Sequence, residues 1–133
     1  MNVQWWKSMV MADANTMIRC IIGDDEKKIE ELQTIRQTQK IVYTIEVIAE
    51  AVYVITKVYS VPRKACSEAI LSFMKARNIV CRNGAVAERA LLLYAENTLD
   101  FVDNILLAYH QVMGMTIYSY DKKLMKAINK DKD

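Results

Sequence analysis

The sequence predicts an α/β protein, a three-layer α/β/α sandwich built on a short, mainly parallel sheet. Two observations carry this prediction: short apolar segments of strand-like composition recur along the chain, and amphipathic helical segments separate them. With 133 residues, 53% of them hydrophobic and 26% charged, the chain has the size and composition of one compact domain. We assign residues 1–7 to an N-terminal extension and residues 8–133 to this single domain.

Four segments are predicted to be strands. Each is short, apolar or rich in β-forming residues, and bounded by turn-forming or polar residues. They are residues 8–12 (SMVMA), 40–44 (KIVYT), 78–81 (NIVC) and 115–119 (MTIYS).

Helices are expected between these strands, because the intervening segments carry capping residues and apolar periodicity. The first follows the turn-forming run Asp13–Thr16 and ends at Gly23. The segment 45–59 is apolar around nearly its whole circumference, as in a helix packed on several sides. The other predicted helices are 27–36, 62–76, 85–95, 100–113 ending before Gly114, and a last one opened by Asp121.

Composition excludes several classes of protein. A formal charge of +2 is too small to indicate a nucleic-acid partner by itself. Three widely separated cysteines, Cys20, Cys66 and Cys81, argue against a disulfide framework or a zinc site and favour a reducing compartment. No uncharged apolar run is long enough to span a membrane, and the first residues lack a signal peptide's apolar region. We therefore expect a cytoplasmic protein with no membrane contact.

Four acidic residues occupy unusual positions. Asp13 and Asp121 follow predicted strands, at the sheet edge where open α/β proteins bind ligands. Glu50 and Asp103 lie inside apolar helical segments, where an unpaired carboxylate is costly. Each acid also has a purely structural interpretation. Asp13 and Asp121 could cap helices, and Glu50 and Asp103 could pair with an arginine.

A divalent cation would explain all four acids together. Carboxylates gathered at one rim repel each other by about 3 kcal/mol per pair at a separation near 5 Å, with an effective dielectric constant near 20. Such a cluster persists when a cation or a proton relieves the repulsion. Since no matching set of His or Cys is present, the ligands would be oxygens, which suits Mg²⁺ or Mn²⁺ and not zinc.

The segments that contain these acids resemble a PIN domain, most closely the VapC-type ribonuclease toxins of toxin–antitoxin pairs. The resemblance covers about residues 8–128, with Asp13, Glu50, Asp103 and Asp121 in the family's order at separations of 50 − 13 = 37, 103 − 50 = 53 and 121 − 103 = 18 residues. It is carried by MADANTMIRCIIGDD, VIAEAVYVI, LDFVDNILLAYHQ and IYSYDKKL.

By this resemblance the chain is expected to be a metal-dependent endoribonuclease. The four acids would be its catalytic and metal-binding residues, with Mg²⁺ or Mn²⁺ as cofactor. Asn15, Asp100 and Ser119 would support them, and Asp100 also suits the N-cap of its helix. The sequence departs from the family at Ala14, where a threonine is usual. Glu46 lies one turn before Glu50 and competes for its role.

The resemblance also implies partners: an RNA substrate, a cognate antitoxin protein and a second copy of the chain. Arg19, Lys122 and Lys123 are the bases nearest the acids in sequence and are candidates for RNA contact, although the lysines equally suit a solvated helix face. Trp5 and Trp6 could cover a partner surface or pack on the domain.

Two other functions are compatible with an α/β chain of this size. The alternative from another class is a catalytically weak PIN domain that acts as a binding or regulatory module. A phospho-receiver domain is disfavoured, because Asp24 and Asp25 follow a helix where that fold requires a strand.

Overall fold

The structure is a computed structural model that describes residues 8–130. In this range three parallel strands form one sheet, in the order β1-β2-β3, and seven α-helices accompany it. The elements are β1 (Met9–Met11), α1 (Ala14–Ile22), α2 (Glu26–Arg36), β2 (Lys40–Tyr43), α3 (Ile45–Tyr53), α4 (Arg63–Met74), β3 (Ile79–Cys81), α5 (Gly84–Glu96), α6 (Phe101–Met113) and α7 (Lys122–Lys130). The predicted α/β class, with its parallel sheet, is confirmed.

Capping residues set several helix ends where the sequence predicted them. Asp13 and Thr44 are the N-caps of α1 and α3, and each side chain accepts a backbone N–H of the first turn. Gly23 and Gly114 end α1 and α6 with φ of 74° and 68°, a left-handed conformation that glycine adopts at little cost. The predicted stops at both glycines are therefore confirmed.

The core lies between one face of the sheet and the helices. Ile41, Tyr43 and Ile79, which alternate with residues of the other face, are buried in it. The helices contribute apolar side chains that are less than 1% exposed, among them Met17, Ile48, Ile70 and Leu91. On the opposite face, Met9, Met11 and Val80 line a groove of about 870 Å³, and Met11 is 72% exposed.

The prediction of a fourth strand at 115–119 is wrong. This segment has no regular secondary structure and pairs with no strand among residues 8–130. Ile117 instead packs with α7 against α6, in a small cluster built on Leu107, Leu124 and Ile128. Asp121 consequently does not follow a strand of the sheet. The reason is local: burial of one apolar residue of the segment, and side-chain hydrogen bonds at 119–121, replace sheet pairing.

The predicted helix at 45–59 also needs correction. The α-helix ends at Tyr53 and continues as a π-helical turn over Val54–Val58. The helix is not apolar all round, since Glu46, Glu50, Tyr53 and Lys57 are exposed. Their spacing of four, three and four residues places them on one face, so a conventional amphipathic pattern explains the helix. This face turns both glutamates towards solvent.

Three remaining predictions concern other parts of the chain. The extension with Trp5 and Trp6 lies outside the described residues. Cys20, Cys66 and Cys81 are free thiols, and burial raises the pKa of Cys66 and Cys81 to about 11, so neither is an activated nucleophile. No helix within residues 8–130 has the length and apolar character needed to cross a membrane.

Candidate active site

The carboxyl edge of the sheet brings the ends of all three strands to one level. The amide of Ala12 donates to the carbonyl of Val42 at 3.0 Å, and the amide of Arg82 donates to the carbonyl of Tyr43 at 2.9 Å. In the parallel register Met11 pairs with Val42. Two residues further along each strand, Asp13 therefore lies beside Thr44. Asp13 thus lies at the edge where the sequence placed it.

Asp13 is held by the first turn of α1 and by the core beneath it. One carboxylate oxygen, Oδ1, accepts the backbone N–H of Thr16 at 3.3 Å, so the capping interpretation is observed. The Thr16 hydroxyl donates to the Asp13 carbonyl at 2.8 Å and lies 2.7 Å from the hydroxyl of buried Tyr43. Because the single threonine proton is used, the Tyr43 hydroxyl donates to Thr16 Oγ1. Burial raises the pKa of Tyr43 to about 12, which keeps that proton in place.

Capping leaves Asp13 chemically available. The capping bond uses Oδ1, and within residues 8–130 the second carboxylate oxygen has no hydrogen-bond donor. Asp13 is also exposed. Asn15, expected to brace it, forms no side-chain hydrogen bond to it in this range and points to solvent. Asp13 therefore presents one carboxylate oxygen at the sheet edge.

Asp103 is the acid with the most perturbed environment. It lies in the first turn of α6 and is partly buried. Burial raises the pKa of its carboxyl, and the negative charges of Asp121 and Asp100 raise it further. The fold thus brings Asp103 into electrostatic contact with both of these acids, although α6 and the end of the 114–121 segment are separate elements.

An arginine partner does not explain Asp103 or Glu50. Within the described range the ion pairs are Arg19–Asp24 at 2.7 Å and Lys28–Asp25 at 3.6 Å. Neither pair includes Asp103 or Glu50, so their carboxylates face no cationic side chain there. For Asp103 this leaves a half-buried negative charge beside two others, an arrangement that costs free energy unless a cation or proton relieves it.

Asp100 and Asp121 both lie at helix N-termini, but only the side chain of Asp121 caps its helix. Asp121 Oδ1 accepts the N–H of Leu124 at 2.8 Å and caps α7, while its own N–H donates to Ser119 Oγ at 3.0 Å. Asp100 occupies the N-cap position of α6, but its side chain makes no capping bond. The expected capping by the Asp100 side chain is therefore wrong, and its carboxylate remains exposed next to Asp103.

Two residues that sequence reasoning missed hold the turn that presents Asp100 and Asp103. Buried Asn104 bonds to the carbonyls of Leu99 and Asp100 and to the side chain of Asn97. Arg63 stacks on the ring of Tyr94 at 3.6 Å and donates to the Leu99 carbonyl at 2.6 Å. The sequence offered a signal for Asn104, because it is a polar residue three positions after the start of a helix.

Glu50 lies on the exposed face of α3 and is not in contact with Asp103. The same face carries Tyr53 and Lys57, which line a cleft of about 320 Å³ together with Asp100. This cleft separates the end of α3 from the start of α6. Glu46, the competing glutamate, lines the separate groove on the open face of the sheet. Glu50 itself does not line the cleft, although it shares its helix face with Tyr53 and Lys57, which do.

The described residues contain no preformed cage for a metal: among residues 8–130, no three His, Cys, Asp or Glu side chains lie together as a metal site. Magnesium does not require one, since it keeps several waters and takes one or two carboxylates directly. The electrostatics of Asp103, Asp121 and Asp100 fit a hard cation, because an added positive charge would relieve the repulsion that raises the Asp103 pKa.

The bases predicted to contact RNA differ in their availability. Arg19 is bound to Asp24 and donates to the Tyr59 hydroxyl at 2.6 Å. Lys123 donates to the carbonyl of Thr98 at 3.1 Å but is otherwise exposed. Lys122 is exposed at the first position of α7, directly after Asp121. The α7 lysines are thus the accessible members of this set.

Comparison with known proteins gives one positive result. The model of the PIN domain family matches residues 10–130, which is nearly the whole chain. Neither the curated proteins nor the solved structures contain a match to this sequence. PIN domains are generally nucleases and usually depend on divalent metals.

Proposed function

The chain belongs to the PIN-domain family, and from this premise we propose that it is a metal-dependent endoribonuclease. The observation that carries the proposal is Asp103: a partly buried carboxylate, without a cationic partner in the described range, beside Asp121 and Asp100. A structural role would not explain three acids left to repel one another. A hydrolytic site that recruits a cation does explain them.

In this proposal each acid has its own role. Asp103 and Asp121 would hold Mg²⁺ or Mn²⁺, and Asp13 would contribute its second carboxylate oxygen from the sheet edge. Glu50 would act from the exposed face of α3. A divalent ion bound there supplies Lewis-acid polarisation of the phosphodiester and lowers the pKa of an attacking water.

Several residues of the chain position these groups. The hydrogen bonds of Thr16 and Tyr43 fix the backbone of Asp13, and Ser119 fixes the amide of Asp121. Asn15 and Asp100 complete the supporting set, through bonds to water or to the substrate. Rigid placement is needed because small displacements of catalytic groups cost large factors in rate.

We further propose that the nuclease is the toxin of a toxin–antitoxin pair and forms a homodimer. The order and spacing of its acidic segments support this, as described above for the VapC-type resemblance. An antitoxin that placed an arginine among the acids would neutralise the charge that the metal otherwise neutralises. Mixing with such a protein is expected to abolish RNA cleavage, whereas antitoxin variants without that arginine would leave cleavage unchanged.

Metal removal tests the proposal directly. We expect purified protein to cleave a pool of small RNAs in Mg²⁺ or Mn²⁺ and to lose all cleavage in EDTA, because four carboxylates bind no phosphodiester unaided. A second readout is independent of activity: Mn²⁺ should raise the melting temperature, since an ion that binds the native state stabilises it. Cleavage that persists in EDTA would contradict the proposal.

One observation favours the alternative, a binding or regulatory PIN domain with little turnover. The described residues form no metal site of three or more acidic, His or Cys side chains. A protein of this class would show neither cleavage nor a metal-dependent shift in melting temperature, yet would retain its partner proteins. The same assay therefore separates the two functions.

A further inference from the structure

The segment that leads into Asp121 displays two tyrosines in an unusual way. The side chains of Tyr118 and Tyr120 are 84% and 88% exposed, the largest exposed fractions among the bulky hydrophobic residues of the described chain. Their rings pack edge to face with centroids 5.6 Å apart, and their hydroxyls lie 3.0 Å from each other. A patch of exposed aromatic surface indicates a binding site, whereas exposed apolar residues scattered singly over a surface do not.

The backbone that carries these rings is fixed at several points. His110 Nδ1 lies 2.9 Å from the carbonyl of Met115, Ile117 packs into the cluster beneath α7, and Ser119 accepts the N–H of Asp121. Exposure alternates along 117–120, because Ile117 and Ser119 are partly buried while Tyr118 and Tyr120 are exposed, so both rings point away from the domain. The rings thus stand on an ordered support, and binding through them requires little new ordering.

A row of lysines begins immediately after Asp121. Lys122, Lys126 and Lys130 recur every four residues on one exposed face of α7, bordering a groove of about 680 Å³ with Met125 and Asn129. At 1.5 Å per residue, the row spans about 12 Å. None of these lysines forms an ion pair with an acid in the described range.

Exposed aromatic rings, followed after one residue by a row of exposed lysines, are the two parts of a single-stranded nucleic-acid surface. Rings stack on base faces, and lysines track the phosphates. In a duplex the base faces are stacked on one another and are not accessible to the rings. A protein partner could cover the tyrosines, but it would also need acidic side chains opposite the lysines, whereas a nucleic acid carries a base and a phosphate on every nucleotide.

We propose that Tyr118 and Tyr120 stack on unpaired bases of RNA while Lys122, Lys126 and Lys130 bind its phosphates, so that a single-stranded segment crosses Asp121. This inference rests on the proposed ribonuclease function and assigns to Tyr118, Tyr120 and the α7 lysines the binding of its RNA.

Binding is measured apart from cleavage, in EDTA, by fluorescence anisotropy of a labelled oligouridine. The double variant Tyr118→Ala/Tyr120→Ala is expected to bind at least about tenfold more weakly, because stacking contributes substantially per base. Tyr118→Phe/Tyr120→Phe retains the rings and should bind like wild type. Leu92→Ala, at an exposed apolar position of α5, controls for nonspecific loss of surface. Thermal melting verifies that each variant is folded.

The lysine row has its own readout. Changing Lys122, Lys126 and Lys130 to glutamine should reduce the slope of log affinity against log salt by about 2, since each phosphate contact contributes about 0.7 for single strands. Changing exposed Lys27, Lys64 and Lys75 to glutamine removes the same charge elsewhere and should leave the slope unchanged.

The outcomes separate this inference from the function on which it rests. Alanine variants that bind oligouridine as tightly as wild type, while wild type cleaves RNA, overturn the tyrosine surface and leave the nuclease intact. Equal affinity for an annealed duplex overturns the preference for unpaired bases. Alanine variants that keep RNA affinity but lose a co-purifying protein assign the rings to a protein interface instead. Wild type that neither binds nor cleaves RNA overturns both proposals.

Discussion

Replacing Asp103 with asparagine is expected to reduce RNA cleavage at least about a hundredfold. Asparagine keeps the shape of the side chain and removes its charge. Loss of a group that supports a metal centre from outside already costs 10- to 100-fold, and we assign Asp103 to the centre itself. The measurement is the initial cleavage rate of a small-RNA pool in Mg²⁺ and in Mn²⁺.

A matched control comes from the neighbouring helix. Glu88 is an exposed acid of α5, and Glu88→Gln makes the same chemical change away from the acids. It should leave cleavage within a factor of about two, as surface substitutions away from special features have small effects. Equal cleavage by wild type and the Asp103 variant would remove Asp103 from the site and leave the binding-module function as the better proposal.

The same variant has a predictable effect on stability. The folded-state pKa of Asp103 lies above its unfolded value, so the native state binds more protons over the interval between the two pKa values. The stability contribution of this group is thus present below the unfolded pKa and is lost as pH rises through the folded pKa. At neutral pH and without metal, Asp103→Asn should therefore melt at the same temperature as wild type or higher.

This pairing of readouts distinguishes a functional acid from a structural one. A carboxylate that stabilised the fold would give a variant with a lower melting temperature at pH 7. It would also give a smaller difference from wild type in acid. A variant that loses both RNA cleavage and thermal stability would therefore contradict our assignment of Asp103 to the metal site.

Local chemistry made most of the fold predictable. Gly23 and Gly114 ended helices as expected, because a left-handed C-terminal residue is a property of the residue itself. The strand at 115–119 failed for the opposite reason. Its residues have β propensity, but a strand needs a partner, and burial of Ile117 against α6 took the segment elsewhere.

The candidate site was likewise predictable only in part. Asp13 and Asp121 could be located because capping residues at element boundaries are visible in sequence. The proximity of Asp103 to Asp121 could not be derived from spacing, since it depends on how α7 packs against α6. The exposure of Tyr118 and Tyr120 could not be predicted either. The sequence predicted a strand at 115–119, in which alternate side chains would be buried against the domain.

The second large effect expected is on stability, from Asn104→Ala. Asn104 is fully buried, and its side-chain nitrogen lies 3.0–3.2 Å from three acceptors: Asn97 Oδ1, the Leu99 carbonyl and the Asp100 carbonyl. Its oxygen accepts from Asn97 Nδ2 at 2.6 Å. The side chain thus closes the turn between α5 and α6 by bonding to buried and partly buried groups of that turn.

Alanine removes all the side-chain bonds of Asn104, leaves Asn97 Nδ2 without its acceptor and opens a small cavity, while the carbonyls of Leu99 and Asp100 keep their bonds from Arg63 and from the residue 104 amide. Each lost hydrogen bond contributes about 0.5–1.5 kcal/mol, and the unpaired Asn97 amide adds to this, so we expect a loss of about 2–4 kcal/mol in the free energy of unfolding. For a domain of this length that corresponds to a fall of roughly 10 °C in melting temperature. Denaturant unfolding, with Asn129→Ala on the exposed face of α7 as the matched control, measures it.

Because this turn also presents Asp100 and Asp103, the variant links stability to the candidate site. Cleavage assayed well below the melting temperature should fall as well, since the first turn of α6 loses the bonds that fix it. The Asn97 side chain shares the network, so Asn97→Ala and Asn104→Ala should be strongly non-additive. Additive losses, or a change of less than about 1 kcal/mol for Asn104→Ala, would show that packing of α5 against α6 holds the turn without the network.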